Sequence, residues 1–154
     1  MAYLLTLLAI VVALPANQAS GAAAQQRQQL LDYELTMPRA NQLIAAMDAM
    51  TKYVTSRPDA AERIRKSATM TPAERLAQVE NDPKAMAILK QNDLTARDYL
   101  IGVPVLRMAL MVAQGLPQSE KIVASPANVA FAKAHLAELK PKMDAADGVK
   151  KGRQ

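Results

Sequence analysis

A chain of 154 residues has room for one domain, and its composition is 51% hydrophobic yet only 3% aromatic. Ala, Leu and Met carry the apolar load; they are good helix formers, and β-branched alternation is nearly absent, so an all-α core is expected. The lack of cysteine excludes disulfides, thiolate chemistry, cysteine-ligated metals and a lipidated N-terminal cysteine, and four tyrosines with one phenylalanine leave a +5 chain few platforms for stacking nucleic-acid bases.

Residues 1–24 read as a secretory signal peptide. Residues 4–14 are an apolar run of signal-peptide length, Pro15 breaks it, and small residues follow. Cleavage after Ala24 is the first choice, with Ala22 and Ala24 in the small-residue positions; cleavage after Gly21 is the alternative. The opening Met-Ala-Tyr lacks the Lys or Arg that usually precedes such a run, and residues 1–26 carry no charged side chain. The run is short for a membrane span, which needs about 20 apolar residues, so no stable span is expected after cleavage, although a retained anchor is left open.

Residues 25–35, polar and Gln-rich at first, read as a flexible lead-in to a helical domain over 36–147. Thr36 and Pro38 start its first helix, where Leu43, Met47, Met50 and Val54 fall on one stripe and Arg57-Pro58 ends it. A thinly apolar, solvated helix follows over 58–67. Thr71-Pro72-Ala73-Glu74 is a capping box with proline at the first helical position, and Leu76 and Val79 give that helix its inward side. Asp82-Pro83 restarts the chain, with Met86, Ile88 and Leu89 inward.

The stretch 95–115 is the expected centre of the fold. Thr95 and Asp98 form a second capping box, Gly115 and Pro117 close the helix, and nine apolar residues between leave almost no polar face. A helix apolar all round is expected to be buried all round. Gly102 and Pro104 should weaken or kink it and open a gap between helices. After a connection over 116–124, Ser125-Pro126 starts a last helix carrying Val129, Phe131, Ala132, Leu136 and Leu139, which Pro141 kinks or ends. Residues 148–154 are a basic tail. Lys140, Lys142, Lys150, Lys151 and Arg153 against Asp144 and Asp147 place most of the positive surplus there, which fits a solvated terminus better than a nucleic-acid face. The expected architecture is a small bundle of about five short helices around the central one.

The run Leu94-Thr95-Ala96-Arg97-Asp98-Tyr99, with Ser125-Pro126-Ala127-Asn128-Val129-Ala130-Phe131-Ala132-Lys133-Ala134-His135-Leu136-Ala137-Glu138-Leu139 downstream, resembles small secreted, all-helical proteins of Gram-negative bacteria that lack an assigned activity. The resemblance covers residues 33–139. It implies an exported helical domain in the periplasm or outside the cell, and it carries over no functional residue.

Four residues stand out for chemistry. On a continuous last helix, at about 100° per residue, Asn128, Phe131, His135 and Glu138 share one narrow arc. His135 is the only histidine, and Glu138 can orient its ring, making a polar ligand site or an acid/base pair. The competing reading is structural: Asn128 on nearby backbone, Phe131 in the core, His135 and Glu138 a surface pair. Arg107, stranded on the apolar central helix, can anchor a carboxylate or phosphate in a gap beside it; structurally it would pair with Asp98, Glu80 or Glu120. Neither a metal nor a cofactor is expected. Met47 with Met50 and Met108 with Met111 are spaced to hold Cu(I), but methionine as core filler accounts for both pairs.

These readings favour a non-enzymatic, exported protein that binds or packs against another envelope component. The runner-up is a carrier or sensor of a small apolar anion in the bundle core; an enzyme using His135 and Glu138 ranks third. An enclosed cavity reached by Arg107 would favour the carrier, and a solid core with an exposed apolar patch the partner-binding protein.

Overall fold

Five side chains set the starts of five helices. Thr36, Thr71, Asp82, Thr95 and Ser125 each accept a hydrogen bond from a backbone N–H in the following first turn. The computed structural model describes residues 16–119 and 122–148, and these residues form eight α-helices and no strand. They are α1 (Ala16–Asp32), α2 (Met37–Thr55), α3 (Ala60–Thr69), α4 (Pro72–Glu80), α5 (Pro83–Gln91), α6 (Ala96–Ala113), α7 (Pro126–Ala134) and α8 (Leu136–Ala146). The chain is therefore all-α. The apolar run 4–14, Glu120 and the basic residues Lys150, Lys151 and Arg153 lie outside the described residues.

The helix count exceeds the expected five or so for two reasons. First, residues 25–31 are helical, not a flexible lead-in: they belong to α1, which packs on α6 through its C-terminal half and brings Leu30 to the core's edge. The expected cleavage point after Ala24 falls within this helix. Second, the single helix expected from Pro126 onward is split at His135. Neither glycine nor proline marks this break. Its reason is tertiary: α7 packs on α6 whereas α8 packs on α2, and the turn carries the chain from one to the other. Pro141, expected to kink or end the helix, lies inside α8, which continues to bury Met143 and Ala146. Pro141 and Ala137 are both exposed, so the carbonyl that loses its N–H partner can turn to water.

Helix α6 packs against α1, α2, α4, α5, α7 and α8. It ends in a Schellman motif: Gly115 takes φ +96°, and the N–H groups of Gly115 and Leu116 bond the carbonyls of Val112 and Met111. The core it organises is solid. Leu43, Leu89, Val105, Leu106 and Leu139 are fully buried. Gly102 serves close approach. A Cβ there would lie 2.6 Å from the Tyr33 hydroxyl and 2.8 Å from both Leu43 Cδ atoms, so α1's end and α2 close down where a kink was expected to open a gap. The helix runs unbroken through Pro104.

One expectation about α6 is overturned. It is not buried all round: Pro104 and Arg107 are exposed, and Leu100, Ile101, Met108 and Met111 are only partly covered. Its apolar surface exceeds what the core covers.

Helix α3 buries no residue and leaves Ile64 54% exposed, as its thin apolar content suggested. Charge holds it in place. Asp82 accepts the N–H groups of Lys84 (3.1 Å) and Ala85 (3.2 Å) and the Tyr53 hydroxyl (3.0 and 2.9 Å), and Arg63 of α3 reaches it at 3.5 Å. Arg57 donates to the Tyr53 oxygen at 2.7 Å and forks onto Asp59. Burial pushes the Asp82 carboxyl up, but the Ala85 N–H, the Tyr53 hydroxyl, the Lys84 N–H and the Arg63 charge outweigh it and hold it below the usual carboxylate value. A carboxyl lowered in the folded state contributes stability that is complete at neutral pH and lost as pH falls below its ordinary value of about 4. Asp82→Asn keeps an acceptor for α5 and removes the charge. Thermal melts are expected to show a loss of about 1 kcal/mol at pH 7 and a smaller difference from wild type at pH 3. A constant difference across that interval would show that the ionised carboxylate is not the stabilising form.

Candidate functional site

Asn128, His135 and Glu138, expected on one arc of a continuous helix, fall before, at and after a helix break, and Arg107, expected beside a separate gap, lies on α6. Asn128 is 1% exposed and works on backbone: its Oδ1 accepts the Leu35 N–H at 3.0 Å, and its Nδ2 donates to the Tyr33 carbonyl at 2.7 Å. It fastens the α1–α2 link to the start of α7. His135 is the junction of α7 and α8. Its N–H bonds the Phe131 carbonyl, its carbonyl accepts from Glu138 and Leu139, and its ring stands 4.9 Å from that of Phe131. The break at His135 ends the helical arc on which the shared face depended. Glu138 is exposed and pairs with Lys142 at 2.8 Å; that hydrogen bond, then the Lys142 charge, keeps its carboxyl below the usual range.

Arg107 has a partner that the sequence reading did not consider. Its Nη2 pairs with Asp147, just past the end of α8, and also reaches the Met47 sulfur at 3.8 Å. Asp98 is engaged by the N–H and hydroxyl of Thr95 instead. Tyr99 stands in the same field. Burial pushes its phenol up to about 12, the Arg107 charge works against this, and Asp147 adds to it. The Arg107–Asp147 pair is half-exposed, the situation in which ion pairs contribute little to stability. The Met108 sulfur accepts the Val123 N–H at 3.4 Å, so Met47 and Met108 each contact protein polar groups. Among the described residues no group of three or more His, Asp or Glu could hold a metal ion, and no helix is long and apolar enough to cross a membrane.

The apolar side of α6 that the core leaves uncovered opens onto a groove of about 520 Å3 between α1, α4 and α6. Its apolar lining is Leu30 of α1, Leu76 of α4, and Leu100, Ile101, Pro104 and Met108 of α6. Its polar lining is Gln26 and Gln29 of α1, Arg75 of α4 and Arg97 of α6. Both arginines are exposed, and neither has an ion pair or side-chain hydrogen bond among the described residues. Pro72 and Ala73, the first turn of α4, also line the groove, so the positive end of that helix adds to the arginine charge. Glu74, in the same turn, is tied to the Thr71 N–H and hydroxyl in the capping box. Arg107 is not part of the lining.

The sequence carried a signal for this groove. Arg97, Leu100, Ile101, Pro104 and Met108 recur at helical spacing along one side of α6, opposite Ala109 and Leu106. The signal is lost in a helix where every side is apolar, because periodicity cannot then separate a covered face from an open one. The wall made by α1 had no signal at all, since its glutamine-rich run has no apolar stripe. No protein-family model, curated protein or solved structure matches the chain.

Proposed function

We propose that this chain is an exported, non-enzymatic helical protein, a bundle organised around α6, that acts by holding another component of the cell envelope in the groove between α1, α4 and α6. It would belong with the small secreted, all-helical proteins of Gram-negative bacteria that its motifs resemble. One observation carries the reading: α6 leaves Leu100, Ile101, Pro104 and Met108 incompletely covered by the core, and the four line one groove. The rival location, a cavity inside the bundle anchored by Arg107, has less support: Arg107 pairs with Asp147, and Leu43 and Leu106 are fully buried.

A photo-crosslinking amino acid at Leu76, within the groove, and another at Ala137, on the exposed side of α8, test it in the native host. Discrete adducts from the Leu76 position alone, on protein recovered from the envelope fraction with a mature mass starting at or near Gln25, are expected. Equal adducts from both positions, or a full-length species held in the cytoplasm, would sink the reading.

A further inference from the structure

We infer that the groove between α1, α4 and α6 binds a single long acyl chain ending in a carboxylate, with Arg97 on the head, Arg75 adding positive charge to the same groove, and α6 along the tail. The inference rests on the proposed docking role of this groove and names its occupant.

On its α6 wall the groove is polar at the first turn and apolar along the rest. Arg97 stands in the first turn, and Leu100, Ile101, Pro104 and Met108 follow on the same side. From Arg97 to Met108 is eleven residues, about 16 Å of helix at the usual rise. A ligand that matches this side is elongated, apolar for most of its length and anionic at one end. The charge is of the right sign and is available. Arg97 and Arg75 lack ion pairs among the described residues, and α4 turns its positive end to the same space. A guanidinium matches a planar carboxylate with two parallel N–H donors, which makes such pairs strong and directional. Gln26 and Gln29 on α1 add amide donors at the edge.

The apolar lining of α6 follows one side of one helix, which suits a single extended chain laid along it. An acidic amphipathic peptide helix is a poorer match, because it spreads its charge along its length whereas α6 carries its lining charge in the first turn.

The test is titration of the full chain with a dansyl-tagged undecanoate, followed by displacement with dodecanoate, its methyl ester and dodecyltrimethylammonium. Saturable binding is expected, with displacement by dodecanoate at least tenfold more effective than by the ester or the cation. Arg97→Gln should weaken binding about tenfold and Arg75→Gln by less, with the helical circular dichroism unchanged, because both side chains are exposed. Leu76→Gln should weaken it through the tail, and Arg107→Gln should leave it unchanged. Equal displacement by ester and acid, insensitivity to both rim arginines, or no saturable binding overturns the inference. Leu76 crosslinks to an envelope protein without any acyl binding would overturn this occupant while leaving the docking role standing; loss of both the position-specific crosslinks and the acyl binding would overturn the two together.

Discussion

Leu106→Ala is expected to destabilise the fold by about 2–5 kcal/mol, read as a shift in the denaturant midpoint at unchanged slope. Leu106 has no exposed surface, and its neighbours on α6, Val105, Ala109 and Leu110, are almost equally covered. Truncation removes the transfer energy of the lost carbons and leaves a cavity that the surroundings fill only in part. Those surroundings are stiff. Gly102, one turn before Leu106, already lets the Leu43 methyls and the Tyr33 hydroxyl sit so close that a Cβ would meet them at 2.6–2.8 Å. Little slack remains for collapse, which favours the upper part of the range. Leu116→Ala, 41% exposed at the last position of the Schellman motif, where only its backbone N–H is used, should change stability by less than about 0.5 kcal/mol. Equal losses from the two variants would mean that the core lies elsewhere.

How far this fold was legible depends on where its information is stored. Helix starts are local: a hydroxyl or carboxylate three residues ahead of the N–H it accepts is visible in sequence, and Thr36, Thr71, Asp82, Thr95 and Ser125 all cap as read. The end of α6 is equally local, because Gly115 alone makes the left-handed residue inexpensive. What stayed hidden is tertiary. The break at His135 answers to α7 and α8 packing on different partners, and nothing in the run from Pro126 to Ala146 announces it. The Arg107–Asp147 pair spans forty residues and requires knowing that α8 runs past Pro141. Proline ends neither helix: α6 continues past Pro104 and α8 past Pro141. Both rings are exposed, and so is Ala137, whose carbonyl loses its N–H partner to Pro141, so water can relieve that penalty.

The candidate site shows the same division. Arg97 and Arg75 drew no notice, because a charged residue near the start of a helix is ordinary. They gain meaning from the shared groove between α4 and α6, and from the excess apolar surface of α6 that sequence alone assigned to the core. Of the residues that did attract notice, Asn128 bonds the backbone before α2, and the His135 ring stands on Phe131.

Asn128 gives that conclusion its sharpest consequence. Asn128→Ala is expected to cost about 2–4 kcal/mol, because two backbone groups, the Leu35 N–H and the Tyr33 carbonyl, lose their partner at once. Leu35 is only 5% exposed, so water cannot readily replace the amide at that end. Asn128→Asp separates the two bonds. The carboxylate still accepts from Leu35 but has no donor for the Tyr33 carbonyl and faces it with negative charge. Burial and that neighbour raise the folded pKa of the introduced carboxyl, so the variant should be least stable at neutral pH and recover part of the loss as the pH falls and the group gains a proton to donate. His135→Ala, which removes a half-buried ring and no side-chain cap, should cost less than about 1 kcal/mol. Amide exchange supplies the local readout. The Leu35 N–H should be protected in the wild type and exchange markedly faster in Asn128→Ala, with the start of α2 following because Leu35 stands two residues before it. If Asn128→Ala instead left stability and Leu35 protection intact while abolishing binding of a ligand, Asn128 would be a ligand residue, and the clip between the α1–α2 link and α7 would not be what holds these helices together.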